Sequence, residues 1–203
     1  MVSMDDDLTA ALAVDLDGAF EGLVRAHQDR LYTIALRVLG DPRDAEEIAQ
    51  DALVRAYRAL ATYEMDRVRA LRLRPWLAAI VLNLARNRAT RRREPRTASL
   101  DQPGPDGRTL DERLPSRTDL DEPDAAVGRR ERADRWAALL ADLPARYRVP
   151  VVLRHVDGLS FAEMSAALAR PEGTLKAQVH RGLALLRAAH EAAVRAEPQE
   201  LTA

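Results

Sequence analysis

The chain has 203 residues, enough for one large domain or two small ones, and no cysteine, which excludes disulfides, thiolate metal sites and cysteine nucleophiles. Formal charge is nearly balanced at −1, but the balance hides segregation: six arginines lie between Arg86 and Arg96 against a single Glu94, and eight acids between Asp101 and Asp124 against three arginines. No apolar run approaches membrane-spanning length, and the opening MVSMDDDLTA is acidic where a secretory signal is basic, so a cytoplasmic protein without membrane insertion is expected.

In chain order, residues 1–16 are acidic and weakly patterned and read as a frayed tail. From Asp17 a helix starts, with Phe20, Leu23, Val24, His27, Leu31, Ala35 and Val38 as an apolar stripe that stops at Leu39-Gly40. Asp41-Pro42 restarts it, a capping carboxylate followed by a proline at the first helical position. In the helix that follows, to about Ala61, the inward positions are Ala45, Ile48, Ala49, Ala52, Leu53, Ala56, Tyr57 and Leu60, and Asp44, Glu47, Asp51, Arg55 and Arg58 lie outward. Thr62 to Arg74 lacks periodicity and reads as a loop with room for one helical turn. Pro75 then opens a long helix to Arg93 that aligns Trp76, Ile80, Asn83, Asn87 and Arg91. Two asparagines on an otherwise apolar side ask for a polar partner, either another part of the fold or a ligand.

Between residues 94 and 124, Pro95, Pro103, Pro105, Pro115 and Pro123 break all periodicity amid the excess of acids, the composition of a linker. The fold class that follows is all-α: a helical domain over 17–93, a linker over 94–124, a second helical domain over 125–196 and a tail over 197–203. In the second domain Trp136, Leu139, Leu140 and Leu143 define one helix and Ala145 to His155 another, in which Pro150 costs a backbone bond and adds a bend. Asp157-Gly158 closes that helix. Ser160 and Glu163 then form a capping box, and Phe161, Met164, Ala167 and Leu168 recur at helical spacing up to Arg170-Pro171. The next helix, to about Ala196, turns Leu175, Val179, Leu183 and Leu186 to one side. Gly173, Thr174, Ala177, His180, Arg181 and Ala184 lie opposite, with Lys176 and Gln178 on the flanks. Two helices joined by a tight turn, the second with a small, polar and basic outer face, suit a DNA major groove. An ordinary amphipathic hairpin with a solvated face fits this stretch equally well when it is taken alone.

Nothing forms a catalytic constellation: there is no glycine-rich phosphate cradle, no nucleophile-and-base pairing and no carboxylate pair in an apolar surround. His27, His155, His180 and His190 lack metal-ligand spacing, so neither a metal nor a cofactor is expected. What remains is two basic surfaces. Arg86 to Arg93 with Trp76 suits phosphates and an unstacked base, and the helix after Pro171 suits a duplex.

Three blocks carry a family resemblance: DAEEIAQDALVRAYRAL at Asp44 to Leu60, RPWLAAIVLNLARNRATRRR at Arg74 to Arg93, and LPARYRVPVVLRHVDGLSFAEMSAALARPEGTLKAQVHRGLALLR at Leu143 to Arg187. In this order they resemble the successive blocks of bacterial RNA polymerase sigma factors of the extracytoplasmic-function group (ECF, group IV). The resemblance implies that Asp44, Glu47, Ile48, Gln50 and Asp51 dock onto the clamp helices of the polymerase largest subunit. It implies that the loop Thr62 to Arg74, with Trp76, Asn83, Asn87, Arg88, Arg91 and Arg92, captures bases flipped from the minus-ten element. Thr174, Lys176, Ala177, Gln178, His180 and Arg181 would meet the minus-35 duplex. Further implied partners are the polymerase flap region and a separate anti-sigma factor. The acidic linker would thread near the active-site cleft, although a solvated spacer explains its composition equally well. Three departures bear on promoter preference: Asn87 stands where the family often has aspartate, Gln178 where a basic residue is more usual, and Glu172 adds a negative charge at the recognition-helix start. The rival readings are a stand-alone helix-turn-helix repressor or activator and an interaction adaptor, the latter leaving the basic helix unexplained.

Overall fold

The computed structural model describes residues 4–93 and 134–196, and every regular element among them is helical. The predicted linker and carboxy-terminal tail lie outside the described residues. The first half contains five helices where three were expected: α1 (Met4–Val14), α2 (Leu16–Leu39), α3 (Pro42–Leu60), α4 (Met65–Arg69) and α5 (Leu73–Arg93). The additional long one is α1, at the position read as a frayed tail. Its acids Asp5, Asp6 and Asp7 occupy the first turn, where they complement the helix dipole, and Leu12 and Ala13 are buried. Three acids in a row mask a short apolar stripe that only packing against α2 and α4 makes visible.

The punctuation signals hold with small shifts. Helix α2 is capped by Asp15 rather than starting at Asp17, the carboxylate accepting from the Gly18 N–H at 3.0 Å, and it ends at Gly40 with φ 77°, a left-handed conformation that costs glycine nothing. Asp41 caps α3, accepting from Arg43 and Asp44 N–H groups at 2.9 and 3.1 Å. Helix α5 begins at Leu73, so Pro75 sits in its first turn. The core of this half joins α2, α3 and α5 through Leu23, Leu31, Ile34, Ile48, Leu77 and Val81. Alanines at 45, 49, 52 and 56 let α3 approach closely, and each buried leucine contributes roughly 1.5–3 kcal/mol relative to exposure.

The second half holds α6 (residues 134–142), α7 (Ala145–Val151), α8 (Phe161–Leu168) and α9 (Glu172–Ala196). The bend expected from Pro150 takes a specific form: α7 passes into a π-helical turn over Val152–Val156, closed by the Asp157 N–H to the Val152 carbonyl at 2.9 Å. Proline offers no N–H, and the ladder widens in the turn that follows it. Helix α9 crosses α7 at Gly182, where a Cβ would meet Val151 Cγ2 at 2.7 Å and Tyr147 Cβ at 3.3 Å. Only glycine permits that approach.

The two halves pack on each other. Leu153, Leu159, Met164, Leu175 and Val179 are buried in the same cluster as Leu31, Ile34, Leu73 and Leu77. Polar ties cross the seam as well. Arg148 donates to the Val38 carbonyl at the end of α2 at 2.6 Å while also holding the Leu143 and Ala141 carbonyls of its own half. Burial lowers its pKa, with Asp142 opposing.

Candidate nucleic-acid interface

The hairpin α8–α9 forms as its residues dictate. The Ser160 Oγ accepts from the Glu163 N–H at 3.2 Å and the Glu163 carboxylate accepts from the Ser160 N–H at 2.8 Å, which completes the capping box. Burial alone would raise the Glu163 carboxyl; its bonds to Ser160, with Arg72 and Arg74 beyond, overrule that and hold it below the ordinary range. The turn passes through Ala169 in the left-handed region at φ 51°, a conformation that a β-carbon disfavours. On α9, Leu175, Val179 and Leu186 are buried and Leu183 is half-buried, while Thr174, Lys176, Ala177, His180 and Arg181 are exposed. Gln178 is half-buried and its Oε1 has no hydrogen-bond partner. Two residues that sequence reasoning missed complete this face. Arg146 and Tyr147 at the start of α7 line, with Gly173, Thr174, Ala177, Gln178 and Arg181, an open groove of about 490 Å³. Only their proximity in space signals them.

Helix α5 departs further from expectation. Trp76 is half-buried against Tyr63, ring centroids 6.2 Å apart, and Arg67 lies over the Tyr63 ring at 3.7 Å. Ile80 is half-buried, and then the face climbs out of the body: Asn83, Arg86, Asn87 and Arg91 are exposed. The two asparagines therefore have solvent as their partner, and no internal hydrogen bond is needed to explain them. Arg88 points the other way. It contacts the Glu47 carboxylate closely and lies 3.7 Å from Asp44, and the Glu47 hydrogen bond raises its pKa. Arg88, expected at the minus-ten element, ties α5 to α3 in this structure. Arg92 lies in the last turn of α5, and its side chain is outside the described residues.

The α3 surface is corrected in the same contact. Asp44, expected to face outward, is buried, and Ile48 is a core residue, so neither is displayed on the outer helix face. Glu47, Gln50 and Asp51 are exposed, with the Gln50 amide donating to Glu46 at 3.3 Å and Val54 exposed beside them. Tyr57, expected inside, packs edge-on against Phe20 and donates to Asp17 at 2.5 Å, remaining partly exposed.

Among the described residues no group of histidines and acids could hold a metal, and no helix is long and apolar enough to cross a membrane. His190 stacks on Trp136 and His27 is buried beside Asp5 at 3.4 Å, which accounts for two histidines structurally.

Fold and surfaces thus define an all-helical protein of two packed units, one presenting a helix-turn-helix. Residues 23–94 match the family described as Sigma-70 region 2, and residues 133–186 match Sigma-70, region 4. The ECF RNA polymerase sigma factor SigW of Bacillus subtilis (strain 168) is 31% identical over 169 residues, 83% of this chain and 87% of that protein. SigE of Mycolicibacterium smegmatis is also 31% identical, covering 92% of this chain and 69% of its own length. Among solved structures, CnrH in complex with the cytosolic domain of CnrY shares the fold with a TM-score of 0.65 at 24% identity, covering 94% of this chain and 99% of that one. RpoE of Bartonella quintana, in complex with the anti-sigma factor NepR, gives a TM-score of 0.59 at 18% identity over 88% of this chain and 98% of that one. The chain belongs to the extracytoplasmic-function group of RNA polymerase sigma factors.

Proposed function

We propose that this chain binds core RNA polymerase in the cytoplasm and directs it to promoters, without an active site of its own, by gripping DNA at two places. The observation that carries the reading is the pair of exposed polar faces, Thr174 to Arg181 on α9 and Asn83 to Arg91 on α5, on one chain. On α9, small Ala177 and Gly173 allow close approach to the minus-35 duplex, while Thr174, Lys176, His180 and Arg181 supply donors to base edges and phosphates. Trp76, Asn83, Asn87 and Arg91 capture minus-ten bases. Extruding a base costs a few kcal/mol of stacking, which a preformed aromatic and polar slot offsets without ATP. The exposed carboxylates Glu47 and Asp51, with Gln50, dock on the clamp helices, and the second half meets the flap. Asp44 and Ile48 support that surface from beneath, and Arg88 sets the spacing of α3 and α5 instead of touching DNA. A separate anti-sigma factor is the expected regulator.

The test is transcription in vitro with purified core enzyme on pooled genomic DNA. Factor-dependent transcripts and co-purification with core are expected; absence of both would remove the reading. Asp51→Arg should abolish core association while leaving the helical circular dichroism unchanged. A stand-alone repressor would bind duplex DNA as a dimer without polymerase, and the region 2 half gives that reading no support.

A further inference from the structure

Helix α1 lies ahead of residue 23, where the region 2 match begins, and it belongs to neither DNA-gripping face. One side of it is nonetheless built for packing: Asp5 and Leu8 are half-buried and Thr9, Leu12 and Ala13 are buried, a single stripe at helical spacing. Thr9 can enter that stripe because its hydroxyl donates to the Asp6 carbonyl at 2.9 Å, so no donor is left bare. The start of the stripe is held on α2, where the Asp5 carboxylate lies 3.4 Å from the buried His27 ring. The rest covers α4.

Helix α4 needs that cover. It has five residues and no side chain capping its start, far short of the ~12–15 residues at which a helix persists alone in water. Val68 is its only buried residue, and α1 is its principal neighbour. The segment around it is anchored on either side. Upstream, Leu60 is buried at the end of α3. Downstream, Arg30 of α2 donates to the Arg74 carbonyl at 3.0 Å and to the Asp157 carboxylate at 2.6 Å, and Arg74 donates to the Asp157 backbone carbonyl. Between those anchors Met65 and Arg67 are exposed, and Arg67 lies over the half-buried Tyr63 ring, itself 6.2 Å from Trp76. Leu12, Ala13 and Val68 belong to one buried cluster, against which Tyr63 and Trp76 pack. The stripe of α1 therefore backs a wall whose front is the loop from Thr62 to Arg74.

We infer that α1 is the positioning element of the minus-ten loop: through Leu12 and Val68 it fixes α4, and with it the shelf of Tyr63, Arg67 and Trp76, before DNA arrives. This rests on the sigma-factor reading and adds residues that act through α4 rather than on DNA. The physical reason is pre-organisation. A loop that must order itself around an extruded base loses that ordering entropy from the free energy of capture, whereas a loop already packed does not. Melting of paired DNA is thus the step most sensitive to α1, and docking through α3 and duplex reading through α9 are not.

The test uses one promoter, recovered from the pooled genomic transcription, in two forms: fully paired, and with the non-template strand mismatched across the minus-ten segment so that its bases are already unpaired. Leu12→Ala in the full chain should lower holoenzyme transcription from the paired form at least tenfold and from the pre-melted form twofold or less, with core co-purification unchanged. The volume-conserving Leu12→Met should stay within twofold of the parent on both forms. Equal losses on both templates, or lost co-purification, would make α1 ordinary scaffold and overturn the proposal, as would undiminished transcription from the paired form. A second variant separates the contact from a general loosening of the core. Val68→Ala should give the same template-selective loss, and the double variant should be no worse than the worse single one, since both remove one packing surface. Losses that multiply would place Leu12 and Val68 in separate roles and overturn the proposal too. A parent protein inactive on both templates would instead remove the sigma-factor reading itself.

Discussion

Helices α5 and α9 look alike in outline, each a long helix with arginines and a polar face, and they use those arginines differently. On α9 the apolar stripe is buried, Arg181 faces solvent, and the helix is all display. On α5 the arginines divide: Arg86 and Arg91 face outward, while Arg74 and Arg88 turn back to Asp157 and to Glu47. A cluster of positive charge is thus two things at once, a surface for phosphate and a set of internal ties. An acceptor within reach on a neighbouring element decides which.

The sharpest way to break the comparison is to remove an internal partner. Asp157→Ala leaves Arg30 in the seam without its carboxylate while the Arg74 bond to the residue 157 carbonyl remains, and should destabilise the packed form by about 3 kcal/mol, read as a lower urea midpoint. Next, Arg88→Ala should cost about 1–2 kcal/mol by uncoupling Glu47 and Asp44 with little change in the salt dependence of DNA binding. Arg91→Ala should do the reverse, altering stability by less than about 0.5 kcal/mol while lowering the salt slope by about one. If both behave alike, the division of α5 is wrong.

Two smaller effects refine the picture. Burial lowers the His27 pKa, with Asp5 pulling the other way and Arg30 and Arg74 reinforcing burial. The unfolded chain therefore takes up a proton that the folded site refuses, so stability is lost as pH falls below the ordinary value of 6.5 toward the lowered folded value. Chemical denaturation at pH 7 and pH 5 should show that loss, and His27→Leu should flatten it. Smallest of all, Ala169→Gly should stabilise the turn before α9 by about 0.5 kcal/mol, the relief of a left-handed β-carbon less the added freedom of the unfolded chain. A thermal scan of the two proteins would register it.

Local grammar made much of this legible. Asp41-Pro42, the Ser160–Glu163 box and Gly40 each act within one helical turn, so the residues that encode them are adjacent in the chain, and α3 and α8 begin, and α2 ends, where those signals place them. The exposed face of α9 was equally plain because its buried stripe is purely apolar. Long-range pairing was not legible. Arg88 and Asn87 are neighbours in sequence with opposite fates, and only the position of α3 sends one inward. Asp44 shares its helix with outward acids yet is buried by α5, and α1 became visible only through the helices it covers. For the same reason Arg146 joined the α9 groove without any motif to announce it.

The tie between Arg30 and Asp157 spans 127 residues of sequence, about three times the separation of the Tyr57–Asp17 bond within the first half. In chain-entropy terms each half can fold as a set of neighbouring helices before the two meet, and closure then depends on the length of what joins them only logarithmically. Doubling a connecting loop costs only ~0.6 kcal/mol. Residues could be inserted between α5 and α6 with almost no loss of the contact between the halves, so the length of what joins them and the strength of their packing are nearly independent quantities.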